Sequence, residues 1–162
     1  MEVVKLRNHK EEFEKAYDTY ADQLYRIAFT YTRNQHTAQD TVQEVFLNYW
    51  KKKQAFASDA HERAWFIRST VNQCHDHYRK YKNVILSDEV DQGVTNSGLS
   101  GIYDSLLLLP KKNRSVIILH YLEGYSIKEI SVMLHCSVSA VKMRLARGRE
   151  ELRKCIGAYY DE

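Results

Sequence analysis

The 162-residue chain contains one proline, Pro110, and only six glycines. With so few residues that break helices, long helices can run uninterrupted, and an all-α fold is expected. Cys74, Cys136 and Cys155 are the only cysteines. Their odd number and the lack of CxxC spacing argue against a disulfide framework or a cysteine-rich zinc site. No stretch is long and apolar enough to span a membrane. The N-terminal MEVVKLRNHKEEFEK lacks the apolar core of a signal peptide, so a cytoplasmic location without membrane insertion is expected. There is no glycine–lysine phosphate loop, and neither a cofactor nor a metal is expected. A net charge of +3 is modest, and a hydrophobic content of 44% suits one or two small globular domains.

The charge is segregated along the chain. Between Ser137 and Lys154 six cations stand against two acids, whereas Asn83–Gly101 holds Asp88, Glu89 and Asp91, three glycines and no Lys or Arg. The acidic stretch is read as a flexible linker between two helical domains. Beyond it, SIKEISVMLHCSVSAVKMRLARGREELRK reads as a helix-turn-helix. Ser126 and Glu129 have capping-box spacing, and Ile127, Ile130 and Leu134 share one face. His135 and Cys136 form the break, and Ser137 suits a second N-cap. Val138, Val141, Leu145 and Leu152 line the inner face of the second helix. Ala140, Met143, Arg144 and Arg147 lie opposite, with Lys142 and Arg149 reaching around from the flanks. Small residues first and cations later suit a helix in the major groove, although a solvated amphipathic helix has the same pattern.

Ahead of the linker, Phe13, Tyr17, Tyr20, Leu24, Ile27 and Tyr31 mark a helix over about Lys10–Thr32, ending at Asn34. A second helix begins near Thr37, with a weak Thr37-to-Asp40 cap, and runs to about Lys52, burying Val42, Val45, Phe46 and Tyr49. Opposite its core face, Asp40, Gln43, Glu44 and Leu47 set an apolar residue among acids, as on a surface for a basic protein partner or on an ordinary charged face. A third helix, about His61–Tyr81, has Ile67, Val71, Cys74 and Tyr78 inside, which makes Cys74 a buried small hydrophobe. Facing away are Trp65, Arg68, Asn72, Asp76 and Arg79, followed by Lys80 and Lys82. Aromatics among cations suit an opened strand, and core packing is the competing role for Trp65. His75-Asp76-His77 with Cys74 could suggest a metal-dependent phosphohydrolase, but adjacent residues point to different helix faces and no second ligand pair completes a site.

FEKAYDTYADQLYRIAFTYTRN, AQDTVQEVFLNYWKK, AWFIRSTVNQCHDHYRK and LLLLPKKNRSVIILHYLEGYSIKEIS with SAVKMRLARGREELR occur in that order. In this arrangement the chain resembles the extracytoplasmic-function (ECF) group of sigma-70 family transcription initiation factors. The resemblance implies residues 1–82 as a region 2-like domain, 83–101 as a linker threading toward the RNA exit path, and 102–162 as a region 4-like helix-turn-helix domain. It implies that Asp40, Gln43, Glu44 and Leu47 dock on the β′ clamp coiled coil of core RNA polymerase, with the β flap as a further contact. Phe56 and Ser58, in the loop Lys53–Asp59, would capture a flipped base of the -10 element. Trp65, Arg68, Asn72 and Arg79 would track and melt the neighbouring DNA. Ser139, Lys142, Met143, Arg144, Arg147 and Arg149 would read the -35 element. An anti-sigma factor is an implied partner, and no enzymatic activity is implied. A polymerase-independent helix-turn-helix regulator is the alternative, but it leaves the acidic face and the linker without a role.

The chain departs from the family pattern at three positions. His135 stands at the usual turn glycine, which implies a modest penalty if φ is positive there. Ala140 replaces a common threonine, removing a hydroxyl. Gly148 replaces a common alanine, which is expected to weaken the last helix by about 0.8–1 kcal/mol.

Overall fold

A computed structural model of the chain describes residues 2–53, 55–85 and 100–160, with side chains over 8–53, 55–80 and 101–157. The helices are α1 (Glu2–Thr32), α2 (Gln35–Lys52), α3 (Asp59–Ile85), α4 (Ser100–Leu108), α5 (Lys111–Ile117), α6 (Ile127–Met133) and α7 (Val138–Tyr160). A π-helical turn, Ile118–Leu122, continues α5. No strand occurs among the described residues, and the fold is all-α. Two compact units divide the chain, Met1–Tyr78 and Arg79–Glu162. Most of the expected linker, residues 86–99, lies outside the described residues. Its two ends are helical instead, since α3 extends to Ile85 and α4 opens at Ser100.

In the first unit Tyr20, Leu24, Ile27 and Tyr31 of α1 are buried with Val42, Val45, Phe46 and Tyr49 of α2 and Ile67, Val71 and Cys74 of α3. Phe66, fully buried, joins the three helices, with ring centroids 4.8 Å from Tyr20, 5.1 Å from Phe46 and 4.9 Å from Tyr49. Such offset and tilted ring pairs add stabilisation beyond the area they bury. Two residues expected inside are not. Tyr17 is half exposed because it lies at the edge of the α1 stripe, its ring resting beside Phe13 and Phe46. Tyr78 is exposed because α1 ends one turn earlier, where the Tyr31 ring meets His75.

Helix boundaries differ from those expected: α1 starts at Glu2 rather than near Lys10 and α3 runs on to Ile85, while the starts of α2 and α3 have local causes. Asn34 does not close α1 but caps α2, its Oδ1 accepting the Thr37 N–H at 2.9 Å. Thr37 is therefore the third residue of α2, and the short polar Asn side chain does the capping that was expected of Thr37. Arg33, at φ 52°, makes the sharp turn between the two helices. Capped by Ser58, α3 opens at Asp59, two residues before His61, because the Ser58 Oγ accepts the His61 N–H and its carbonyl accepts the Glu62 N–H.

The second unit is organised around two features without a periodic signature. Arg114 is buried, and its guanidinium donates from Nε to the Leu106 carbonyl at 3.0 Å. Nη2 donates to the carbonyls of Leu107 at 2.7 Å and Leu109 at 2.8 Å. One side chain thus satisfies the free carbonyls where α4 ends, and the cation meets the negative end of the helix. Pro110 then starts α5, its carbonyl accepting the N–H groups of Asn113 and Arg114. The other feature is Gly148, buried in α7 directly against α5.

Candidate protein and nucleic-acid interfaces

Asp40, Gln43, Glu44 and Leu47 are all exposed on α2, opposite Val42, Val45, Phe46 and Tyr49. Their spacing places them on one stripe. Leu47 is 54% exposed, an apolar side chain held in water between carboxylates and amides.

Past this stripe α2 ends in Lys51 and Lys52, and Lys53 turns the chain at φ 46°. Phe56 folds back, half-buried, nearly parallel to the Tyr49 ring at 6.3 Å and 5.9 Å from Trp65. Trp65 itself is 8% exposed, packed against Tyr49 and edge-on to Phe66. It therefore does not share the outward face of Asn72 and Asp76. The chain leaving α2 brings Phe56 over it, so Trp65 packs as core, with Lys52 Nζ 6.0 Å above its ring. Ser58 is exposed, and its Oγ lies 2.9 Å from His61 Nδ1.

Between this connection and α1 lies a cleft of about 590 Å3, lined by Lys15, Tyr20, Lys53, Phe56, Glu62 and Arg63 among others. Glu62 is the group that helical spacing passed over. Tyr20 donates to its Oε2 at 3.2 Å and Tyr49 to its Oε1 at 3.3 Å, contacts that span 42 and 13 residues of sequence. Burial, then the Glu62 charge and hydrogen bond, push both tyrosine pKa values up to about 12, so the hydroxyls stay donors at neutral pH.

Along α3, Arg68 is half-buried, and burial lowers its pKa. Asn72, Asp76 and Arg79 are exposed. Cys74 is buried, and desolvation pushes its thiol up to about 12, which leaves it without thiolate reactivity. Among the described residues no three His, Cys, Asp or Glu side chains come together as a metal site.

In the second unit the Ser126–Glu129 capping box is complete. Ser126 Oγ accepts the Glu129 N–H at 3.2 Å, and Glu129 Oε2 accepts the Ser126 N–H at 2.8 Å. The turn that follows is a Schellman motif: Cys136 N–H donates to the Ser131 carbonyl and His135 N–H to the Val132 carbonyl. His135 takes the left-handed position at φ 51°, where glycine is at home. Ser131 Oγ also donates to the Cys136 carbonyl at 2.7 Å, and Ser137 Oγ caps α7 through the Ala140 N–H at 3.0 Å.

On α7, Val141 and Leu145 are buried and Val138 and Leu152 half-buried. Ser139, Lys142, Met143, Arg147 and Arg149 are exposed, and Arg144 is half-buried. The six cations of this helix are not equivalent. Arg153 is paired to Glu150 at 2.9 Å and Lys154 lies 3.9 Å from the same carboxylate, which leaves the N-terminal half as the net positive surface. Arg149 Nη1 donates to the Tyr121 hydroxyl at 3.1 Å, from the π-helical turn. Tyr121 carries no sequence signal for this contact, because the wider turn changes where its side chain points.

Two family models match the chain: sigma-70 region 2 over residues 16–84 and sigma-70 region 4 over residues 100–152. The ECF RNA polymerase sigma factor SigW of Bacillus subtilis is 30% identical, covering 91% of this chain and 90% of that protein. SigX of the same organism is 28% identical, over 90% of this chain and 84% of its own length. Among solved structures, CnrH in complex with the cytosolic domain of CnrY superposes with a TM-score of 0.73 at 26% identity, covering 92% of this chain and 90% of that one. The sigma factor RpoE of Bartonella quintana, solved with the anti-sigma factor NepR, shares the fold at a TM-score of 0.71 and 20% identity, over 91% and 98% of the two chains. With a region 2 and a region 4 in order and a full-length relative at 30% identity, the chain belongs to the ECF group of sigma-70 family RNA polymerase sigma factors.

Proposed function

We propose that the first domain, residues 1–82, docks on core polymerase and opens the -10 element, while the second, residues 102–162, reads the -35 element as duplex. The observation that carries this division is the pairing, in one chain, of an exposed acid-and-leucine stripe on α2 with a capped helix-turn-helix whose reading helix is cationic. Asp40, Gln43, Glu44 and Leu47 meet the β′ clamp coiled coil, where a basic partner complements the acids and Leu47 loses its contact with water. The second domain makes a further contact with the β flap.

Phe56 and Ser58 belong to the loop that captures a flipped -10 base, and Arg68, Asn72 and Arg79 follow the opened strand. Trp65 acts from beneath, as support for Phe56. Flipping costs a few kcal/mol of lost stacking, which a shaped pocket can return for the right base, so no ATP is required. Ser139, Lys142, Met143, Arg144, Arg147 and Arg149 face the -35 duplex, where a good bidentate base contact discriminates by about 1–3 kcal/mol. Phosphate contacts by the same cations set the salt dependence.

The chain acts as a specificity subunit without catalysis of its own, in the cytoplasm with its polymerase. CnrH, at 26% identity, is solved bound to the cytosolic domain of CnrY. An anti-sigma factor is accordingly a partner for this chain too. Reconstitution tests the whole: core polymerase plus this chain yields promoter-specific run-off transcripts from a library of genomic fragments. Their absence with a competent core would refute the assignment.

A further inference from the structure

The cleft beside α1 has a carboxylate, Glu62, in its lining. Glu62 is held at both oxygens by the hydroxyls of Tyr20 and Tyr49. Each hydroxyl occupies one acceptor site, and a carboxylate has about four, so acceptor capacity remains on each oxygen. Both tyrosine rings pack against Phe66, which positions the two hydroxyls that hold the carboxylate. Around it stand Lys15, Lys53 and Arg63 together with the carboxylates of Glu12 and Asp59, and Phe56 offers a ring. A cleft of about 590 Å3 has room for a single base.

These parts have separable effects on a captured nucleotide. The cations attract the phosphates of any sequence, and stacking on Phe56 is equally indifferent to the base. Only the edge of the base distinguishes one from another, and Glu62 offers that edge an acceptor. We propose that Glu62 is a specificity-determining residue of this cleft, favouring an unstacked base with an amino group on its Watson–Crick edge and rejecting thymine. Guanine, cytosine and adenine each bring an amino donor there. Thymine brings one N–H between two carbonyl oxygens, and those oxygens face the carboxylate with like charge. This inference rests on the reading that the loop after α2 captures a -10 base.

The test uses core polymerase reconstituted with the full chain, in wild-type form and as E62Q, transcribing templates randomised across the -10 region. Sequencing the transcripts gives the base preference at every position. Wild type depletes thymine at one -10 position by at least about ten-fold, as one well-placed hydrogen bond implies. E62Q, whose amide can donate to a carbonyl, brings thymine there to within about two-fold of the other bases. Preferences at the -35 element stay as they are. A merely structural role for Glu62 would lower all transcripts together and leave the profile unchanged, which would overturn the proposal, as would a wild-type profile with no thymine-depleted position. Strand capture has a separate readout, the fluorescence rise of 2-aminopurine placed along the -10 strand when wild-type holoenzyme binds. A rise with an unchanged E62Q profile removes Glu62 alone, and no rise removes the capture reading with it.

Discussion

A Cβ on Gly148 would lie 2.7 Å from Ile117 Cγ1 and 3.0 Å from its Cδ1. The glycine is therefore a point of close approach between α7 and α5, and its low helix propensity is the lesser effect. Ile117 is buried, so its side chain has little room to turn away.

Gly148→Ala sets two effects in opposition. Alanine gains about 0.8–1 kcal/mol of helix propensity, and overpacking costs about 1–3 kcal/mol. A net loss of about 1 kcal/mol is expected, seen as a lower denaturant midpoint of the second unit. A gain in stability would mean that Ile117 repacks freely.

His135→Gly acts in the other direction. The left-handed conformation costs a non-glycine residue about 1–2 kcal/mol, part of which is offset by the greater freedom of glycine in the unfolded chain. The variant should be more stable by about 1 kcal/mol, with a raised melting temperature. A lowered melting temperature would assign His135 a stabilising contact.

Arg114→Ala leaves the carbonyls of Leu106, Leu107 and Leu109 without this donor in a buried setting. A loss of about 3 kcal/mol is expected in equilibrium unfolding. Arg114→Lys restores the charge without the planar fork and should recover less than half of it. Full recovery by lysine would show that charge alone matters.

The Tyr20 and Tyr49 pKa values, about 12 against an ordinary 10.0, make the first unit sensitive to alkali. The folded state holds these protons more tightly than the unfolded state, so the stabilisation is complete below about pH 10 and is lost as pH rises through about 12. Y20F/Y49F keeps the rings and removes the titration, so its denaturant midpoint should fall less steeply over that window. Identical slopes would contradict the linkage.

D40K/E44K reverses the α2 stripe without touching the core, since both residues are exposed. Binding of the full chain to core polymerase should weaken by at least about ten-fold in a titration, with unchanged thermal melting. Undiminished binding would remove the docking assignment.

Period and capping chemistry were legible from sequence wherever the determinant is local. The α2 core face, the Ser126–Glu129 box and the Ser137 cap could be read because each depends on residues within two turns. Trp65 could not be placed, since its burial depends on Phe56 returning over it. The Asn34 cap was missed by three residues because Asn34 and Thr37 have similar capping chemistry, and only the path of the backbone chooses between them.

The all-α class, the helix-turn-helix and the acidic stripe of α2 follow from local pattern, because helix formation and amphipathicity depend on neighbours at three and four residues. That Glu62 meets Tyr20 and Tyr49, that Arg114 caps α4 and that Gly148 is a packing requirement depends on how the helices come together. The Tyr20–Glu62 and Gly148–Ile117 contacts join residues tens of positions apart. No local period encodes such pairs, and they arise only when packed helices bring particular atoms within hydrogen-bond or van der Waals distance.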